Sequence, residues 1–100
     1  MPLGPRDYDP HLHRTAVYAV ATADRLGRRD LAAVHARAKA GDDSDPIVQL
    51  ALWFDAATYP LPASMTAEEA LRVLDDQGFG PEIVAAFRAV QPLIQPVGLD

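Results

Sequence analysis

The chain of 100 residues contains no cysteine, which excludes disulfides, thiolate metal sites and cysteine nucleophiles. It also lacks a run of 18 or more consecutive apolar residues, so no segment predicts a membrane-spanning helix. The N-terminal stretch MPLGPRDYDP lacks the basic-then-apolar pattern of a signal peptide. From these absences we expect a soluble, cytoplasmic protein that does not bind a membrane.

Basic residues are scarce, with nine against fourteen acidic residues and a net charge of -5. A nucleic-acid phosphate backbone would be repelled unless the few arginines were gathered on one face, so we expect no nucleic-acid partner. The sequence also has no phosphate-cradling glycine loop and no Ser/His/Asp arrangement at a recognisable spacing. We therefore predict no organic cofactor.

The apolar residues recur at three- and four-residue spacing, which predicts an all-α fold, a compact bundle of about five helices. We expect a single helical domain over residues 9–94, flanked by an extended arm at 1–8 and a tail at 95–100. The predicted N-caps of the first three helices are Asp9, Asp30 and Asp45, a capping box of Thr66 and Glu69 starts the fourth, and prolines and glycines set the other boundaries. The five helices are predicted to begin near Pro10, Asp30, Pro46, Thr66 and Pro81 and to end near Gly27, Gly41, Tyr59, Gly78 and Pro92.

The third predicted helix, Ile47 to Pro60 (IVQLALWFDAATYP), holds the longest run of large apolar residues and the single Trp. A helix that is apolar on nearly all sides is one surrounded by other helices. We therefore expect this helix to be the centre of the bundle. The first helix carries a narrow face that should let another helix approach closely, because most of its residues are small: Leu12, Ala16, Ala19, Ala23 and Leu26.

Asp55 is the one acidic residue that the pattern predicts to be buried, and an unpaired buried carboxylate costs several kcal/mol. One interpretation is a metal ligand or general base, working with His11, His13 or His35. The other, which we prefer, is a structural carboxylate held by an Arg or His of the first or second helix, or one reaching water at the edge of its face. His11 and His13 lie roughly 200° apart on a regular helix, so they cannot both face one ion there.

Leu50 to Pro60, LALWFDAATYP, resembles the segment LALWFHDAVYDP that marks a bacterial group of predicted metal-dependent phosphohydrolases of the HD superfamily. The stretch YDPHLHR at 8–14 and the stretch TAEEA at 66–70 also resemble this group, so the likeness covers most of residues 8–94. The resemblance implies an HD-like helical fold and a divalent metal held by His and Asp ligands.

The sequence departs from that group at the metal site. The HD pair is two adjacent ligands, whereas here Phe54 is followed directly by Asp55. Only His11 or His13 could correspond to the upstream histidine, and neither is followed by a His four residues later. Removal of one residue from a helix rotates all that follows by about 100°, which would separate the ligands. The resemblance therefore implies a shortened relative that has lost its metal site.

Two functions follow as hypotheses. The first is a noncatalytic helical domain that acts by protein contact or self-association, with Tyr18, Trp53 and Tyr59 forming an exposed contact surface. The alternative is a metal-dependent phosphohydrolase with an atypical site drawn from the three histidines and Asp55. A small-ligand binder that uses a cavity around Trp53 is a third hypothesis.

Overall fold

The computed structural model describes residues 10–59 and 64–93, and within these ranges the chain is helical with no β-strand. The five α-helices are α1 (Pro10–Arg25), α2 (Leu31–Lys39), α3 (Pro46–Thr58), α4 (Ala67–Arg72) and α5 (Pro81–Val90), and two short 3-10 helices span Leu74–Gln77 and Gln91–Leu93. The predicted all-α bundle is confirmed. The predicted arm, the Asp9 cap and the C-terminal tail lie outside the described residues.

Two helix starts follow the predicted capping chemistry. Asp45 accepts a hydrogen bond from the Ile47 backbone N–H at 3.0 Å, and Pro46 occupies the first helical position, where no N–H donor is needed. Thr66 and Glu69 form a reciprocal capping box, with bonds of 3.1 and 3.0 Å between each side chain and the other residue's backbone N–H. Both starts are therefore set by local sequence.

Asp30 occupies the N-cap position of α2, as predicted, but its carboxylate makes no capping hydrogen bond to the helix. Instead it accepts a 2.9 Å hydrogen bond from Nε of Arg28, two residues earlier. The fourth helix also differs from its prediction. Its α-helical part ends at Arg72, and a 3-10 turn continues the segment towards Gly78. The predicted stops at Gly27 and Gly41 are confirmed by left-handed φ values of 81° and 70°.

The central position predicted for α3 is confirmed, since α3 contacts each of the other four helices. Its buried residues are Ile47, Val48, Leu50, Ala51, Phe54, Asp55 and Ala57. The most extensive packing of the bundle is that of α1 against α2, followed by α1 against α3. Ala16, Ala19 and Ala23 of α1 are at most 1% exposed, so the small-residue face does lie against neighbouring helices.

An aromatic cluster joins α1, α3 and α5 in the core. The rings of Tyr18, Phe54 and Phe87 lie with centroids 4.9 to 5.7 Å apart in edge and tilted arrangements, which aromatic pairs prefer. Leu26, predicted to continue the apolar face of α1, is 37% exposed because it follows the last turn of the helix. None of the described helices combines the length and the apolar character needed to cross a membrane.

Candidate functional site

The carboxylate of Asp55 is buried in the last turn of α3, where its side chain is 4% exposed. Nε of Arg14 donates a hydrogen bond to Oδ1 at 2.8 Å, and Nδ1 of His11 lies 2.6 Å from Oδ2. Both oxygens are therefore engaged by α1. This geometry agrees with the interpretation of a carboxylate held by an Arg or His of the first helix.

Helix geometry explains why α1 supplies both partners. His11 and Arg14 are three residues apart, a spacing that puts two side chains on the same face of a helix. That face lies against the end of α3, since α1 and α3 pack directly together. Sequence reasoning considered His11 but did not single out Arg14. The available signal was its position three residues after His11, which places it on the same face of the first helix.

Tyr59 completes the group. It follows the end of α3 and lies one helical turn after Asp55, with Cζ of Arg14 only 3.4 Å from the centroid of its ring. The edge of the His11 ring meets the same ring at a centroid distance of 5.0 Å. We call His11, Arg14, Asp55 and Tyr59 the Asp55 cluster. Its side chains tie the first turns of α1 to the end of α3.

The side chain of Arg14 is only 6% exposed. Arginine is rarely buried to this extent unless its charge is paired. The Nη2 atom of Arg14 has no hydrogen-bond partner within the described part of the chain. Two interactions offset its burial, the ion pair with Asp55 and the stacking on the face of Tyr59. Loss of Asp55 would leave a desolvated positive charge without its counterion.

Tyr18 is not part of an exposed surface, so this element of the predicted contact surface is wrong. The residue is 4% exposed because its ring packs against Phe54 and Phe87 in the core. Burial raises the pKa of the Tyr18 phenol above its usual value of 10.0. The negative charge of Asp55 raises this pKa further, and the positive charge of Arg14 partly opposes the rise.

The other two rings of the predicted contact surface are half-buried. The Trp53 ring packs against Phe79, with centroids 6.2 Å apart, and the Tyr59 ring covers Arg14. Each of these aromatic rings therefore already has a partner within its own chain. Both residues remain partly exposed, so their part of the contact surface stays a prediction.

His13 and His35 lie in a different place from the Asp55 cluster. Both line a surface groove of about 520 Å³ formed by α1 and α2. The α1–α2 groove is otherwise lined by Ala16, Val17, Val20, Ala21, Asp24 and Leu31. The four residues predicted for a metal site thus divide between two locations. In residues 10–59 and 64–93, no group of three or more His, Asp or Glu is arranged to hold a metal ion.

A second buried carboxylate lies at the opposite end of α3. Asp45 caps the helix and also accepts from Arg28 Nη1, with a closest N–O distance of 3.0 Å, and from Arg37 Nη1 at 3.4 Å. We call Asp45, Arg28 and Arg37 the Asp45 cluster. The Asp45 side chain is 6% exposed, but those of Arg28 and Arg37 are 30% and 38% exposed. This group connects three elements: the turn that follows α1, helix α2 and the start of α3.

Comparison of the chain with protein-family models, with curated proteins and with solved structures found no match. The likeness to HD-superfamily proteins rests on the three sequence stretches quoted for it. It enters the function of this chain only as part of a proposal.

Proposed function

We propose that this chain is a noncatalytic helical domain that acts by contact with protein, and that it is similar to an HD domain whose metal site has been replaced by an ion pair. The observation that carries the proposal is the buried pair of Arg14 and Asp55, with Nε and Oδ1 2.8 Å apart. The carboxylate that the resemblance equates with the HD aspartate has a guanidinium as its counterion.

Electrostatics favour this role for Asp55. A divalent cation bound at the carboxylate would lie close to the Arg14 guanidinium, and two positive charges repel strongly where little water separates them. A catalytic metal also needs several ligands that converge on it and leave an open coordination position. Asp55 is near one histidine, His11, whereas His13 and His35 line the groove between α1 and α2.

Support for protein contact comes from the α1–α2 groove. Its lining is mostly Ala, Val and Leu side chains, with two histidines and Asp24 as the polar members. An apolar surface bordered by polar residues is typical of places where proteins bind one another. The groove lies apart from the Asp55 cluster, so a binding role there does not require the ion pair to open.

Metal analysis of the purified protein tests the noncatalytic part of the proposal. We expect no stoichiometric Mn, Fe, Ni or Zn after loading with each metal and desalting, and we expect the same unfolding midpoint with and without chelator. Turnover of a general phosphomonoester such as p-nitrophenyl phosphate should not exceed that of a metal-only blank.

The matched variants are Asp55→Asn, which removes a carboxylate charge from the core, and Asp24→Asn, which removes one from the surface. Stoichiometric metal in the parent protein that is lost in Asp55→Asn and kept in Asp24→Asn would overturn the proposal. The same result with metal-dependent phosphatase activity would establish the alternative, an atypical phosphohydrolase.

A further inference from the structure

The α1 side of the groove has an internal symmetry in its sequence. Its six lining residues form three pairs that are equally spaced about the midpoint between residues 18 and 19. Those pairs are His13 with Asp24, Ala16 with Ala21, and Val17 with Val20. If a second α1 is laid antiparallel on the first, with a two-fold axis through that midpoint, each residue lies at the same level along the helix axis as its pair mate in the other subunit.

We propose that the protein partner is a second copy of this chain, an inference that rests on the proposed role in protein contact. The α1–α2 grooves of the two copies form a two-fold dimer interface in which the two α1 helices are antiparallel. A two-fold interface is self-complementary, so that residue i meets residue j and residue j meets residue i. The three pairs satisfy this condition.

The helix geometry permits the contact. His13 and Asp24 are 11 residues apart, about three turns and roughly 16 Å along the axis, so they lie near opposite ends of one face. Val17 and Val20 are half-buried in the single chain and would be covered by the same residues of the partner. The short side chains of Ala16 and Ala21 lie on either side of the valines, and they let the two helices approach closely.

Charge selects the antiparallel orientation. A parallel pair of α1 helices would put His13 opposite His13 and Asp24 opposite Asp24, which brings the two carboxylates together. The antiparallel pair puts each Asp24 beside a histidine of the other subunit. An imidazole has two ring nitrogens, so this contact uses one of them and leaves the other to neighbours within the chain.

Residues of α2 form the other wall of the groove. Leu31 is half-buried there and lies beside the α1 valines, while His35 lies at the exposed edge. A second α1 seated in the groove would therefore contact both helices of its partner. The interface would bury apolar surface at its centre and keep the charged groups near its ends, the usual arrangement of such contacts.

Light scattering coupled to size-exclusion chromatography, over a concentration series, tests the dimer. We expect the parent protein to reach twice the mass of one chain as concentration rises. Val20→Asp should raise the dimer dissociation constant by about tenfold or more, because two carboxylates would enter the apolar centre. A parent protein that stays monomeric at every concentration overturns the inference.

The matched control is Leu26→Asp, which places the same charge at an exposed large apolar residue outside the groove. This variant should dimerise like the parent protein. Equal weakening by both variants would indicate nonspecific association and overturn the inference. Circular dichroism of each variant establishes that it is folded before its mass is compared.

Disulfide trapping tests the antiparallel register, and the absence of native cysteine makes the result simple to interpret. In a mixture of Val17→Cys and Val20→Cys proteins, the heterodimer should cross-link faster than either protein alone. Faster cross-linking of each single variant with itself would indicate a parallel or shifted contact and overturn the inference. Neither result depends on metal content. The cross-linking and mass measurements therefore test the dimer, and the metal and phosphatase measurements test the noncatalytic role independently.

Discussion

The two buried aspartates of α3 have similar exposure but different surroundings. The side chains of Asp45 and Asp55 are 6% and 4% exposed, and each accepts from an arginine. At Asp45 the arginines are about one third exposed, whereas at Asp55 the arginine is 6% exposed. The carboxylates are thus alike, and the difference between the clusters is how much water reaches the cation.

That difference decides what each cluster contributes. If Asp45 were lost, water could solvate the guanidinium groups of Arg28 and Arg37, so the main loss would be the helix cap. If Asp55 were lost, Arg14 would keep a desolvated charge stacked on the ring of Tyr59 without its counterion. We infer that the Asp55 cluster controls the docking of α1 on α3, while the Asp45 cluster mainly starts α3.

The largest expected effect is that of Asp55→Asn. This change keeps the size of the side chain but leaves Arg14 without its counterion, and breaking a buried ion pair costs about 3–5 kcal/mol. Urea unfolding followed by circular dichroism measures the loss of unfolding free energy. A cost below about 1 kcal/mol, the range of surface ion pairs, would contradict the assignment.

The control for this prediction is the double variant Arg14→Met with Asp55→Leu. Apolar side chains of similar length remove both charges together, and such replacements of buried ion pairs are often neutral or stabilising. The double variant should therefore be more stable than either single variant. Losses that simply add would show that Arg14 and Asp55 do not act as a pair.

The next largest effect is expected at Asp45. Asp45→Ala removes the acceptor of the Ile47 N–H and should cost about 0.5–2 kcal/mol, the usual range for loss of an N-cap. Asp45→Asn keeps a capping oxygen and should cost much less, since Asn and Asp are nearly equal caps. Equal losses for these two variants would mean that the charge, and not the cap, matters at this end of α3.

The same two clusters show how far sequence reasoning extends. Asp45 was predicted correctly because its role is local, a carboxylate immediately before Pro46 at the start of an apolar segment. The burial of Asp55 was also predictable, from its position among apolar residues at helical spacing. The identity of its main partner was not, because Arg14 lies 41 residues earlier and only the packing of α1 on α3 brings them together.

The capping bond expected of Asp30 and the predicted exposure of Tyr18 are both absent, for different reasons. Asp30 has the sequence of a cap, but the nearby guanidinium of Arg28 takes its carboxylate. Tyr18 has a polar tip and adjoins a face of small residues, which made an exposed position plausible. In the fold its ring fills the space between Phe54 and Phe87. A partner two residues away decides the first case, whereas distant partners on α3 and α5 decide the second, and the sequence around Tyr18 does not contain them.

The smallest effect concerns Tyr18. The charges of Asp55 and Arg14 both shift the pKa of its phenol, and the Asp45 cluster contains no such tyrosine. Because burial and the Asp55 carboxylate raise its pKa above 10.0, folding favours the protonated phenol. Its contribution to stability is complete below the unfolded pKa and is lost as pH rises through the higher folded value, with a slope of at most about 1.4 kcal/mol per pH unit. Denaturant unfolding from pH 9 upward should show this loss in the parent protein and in Tyr59→Phe, but not in Tyr18→Phe. If the free energy of unfolding fell with pH as steeply in Tyr18→Phe as in the parent protein, ionisation of Tyr18 would not be the cause of the alkaline loss.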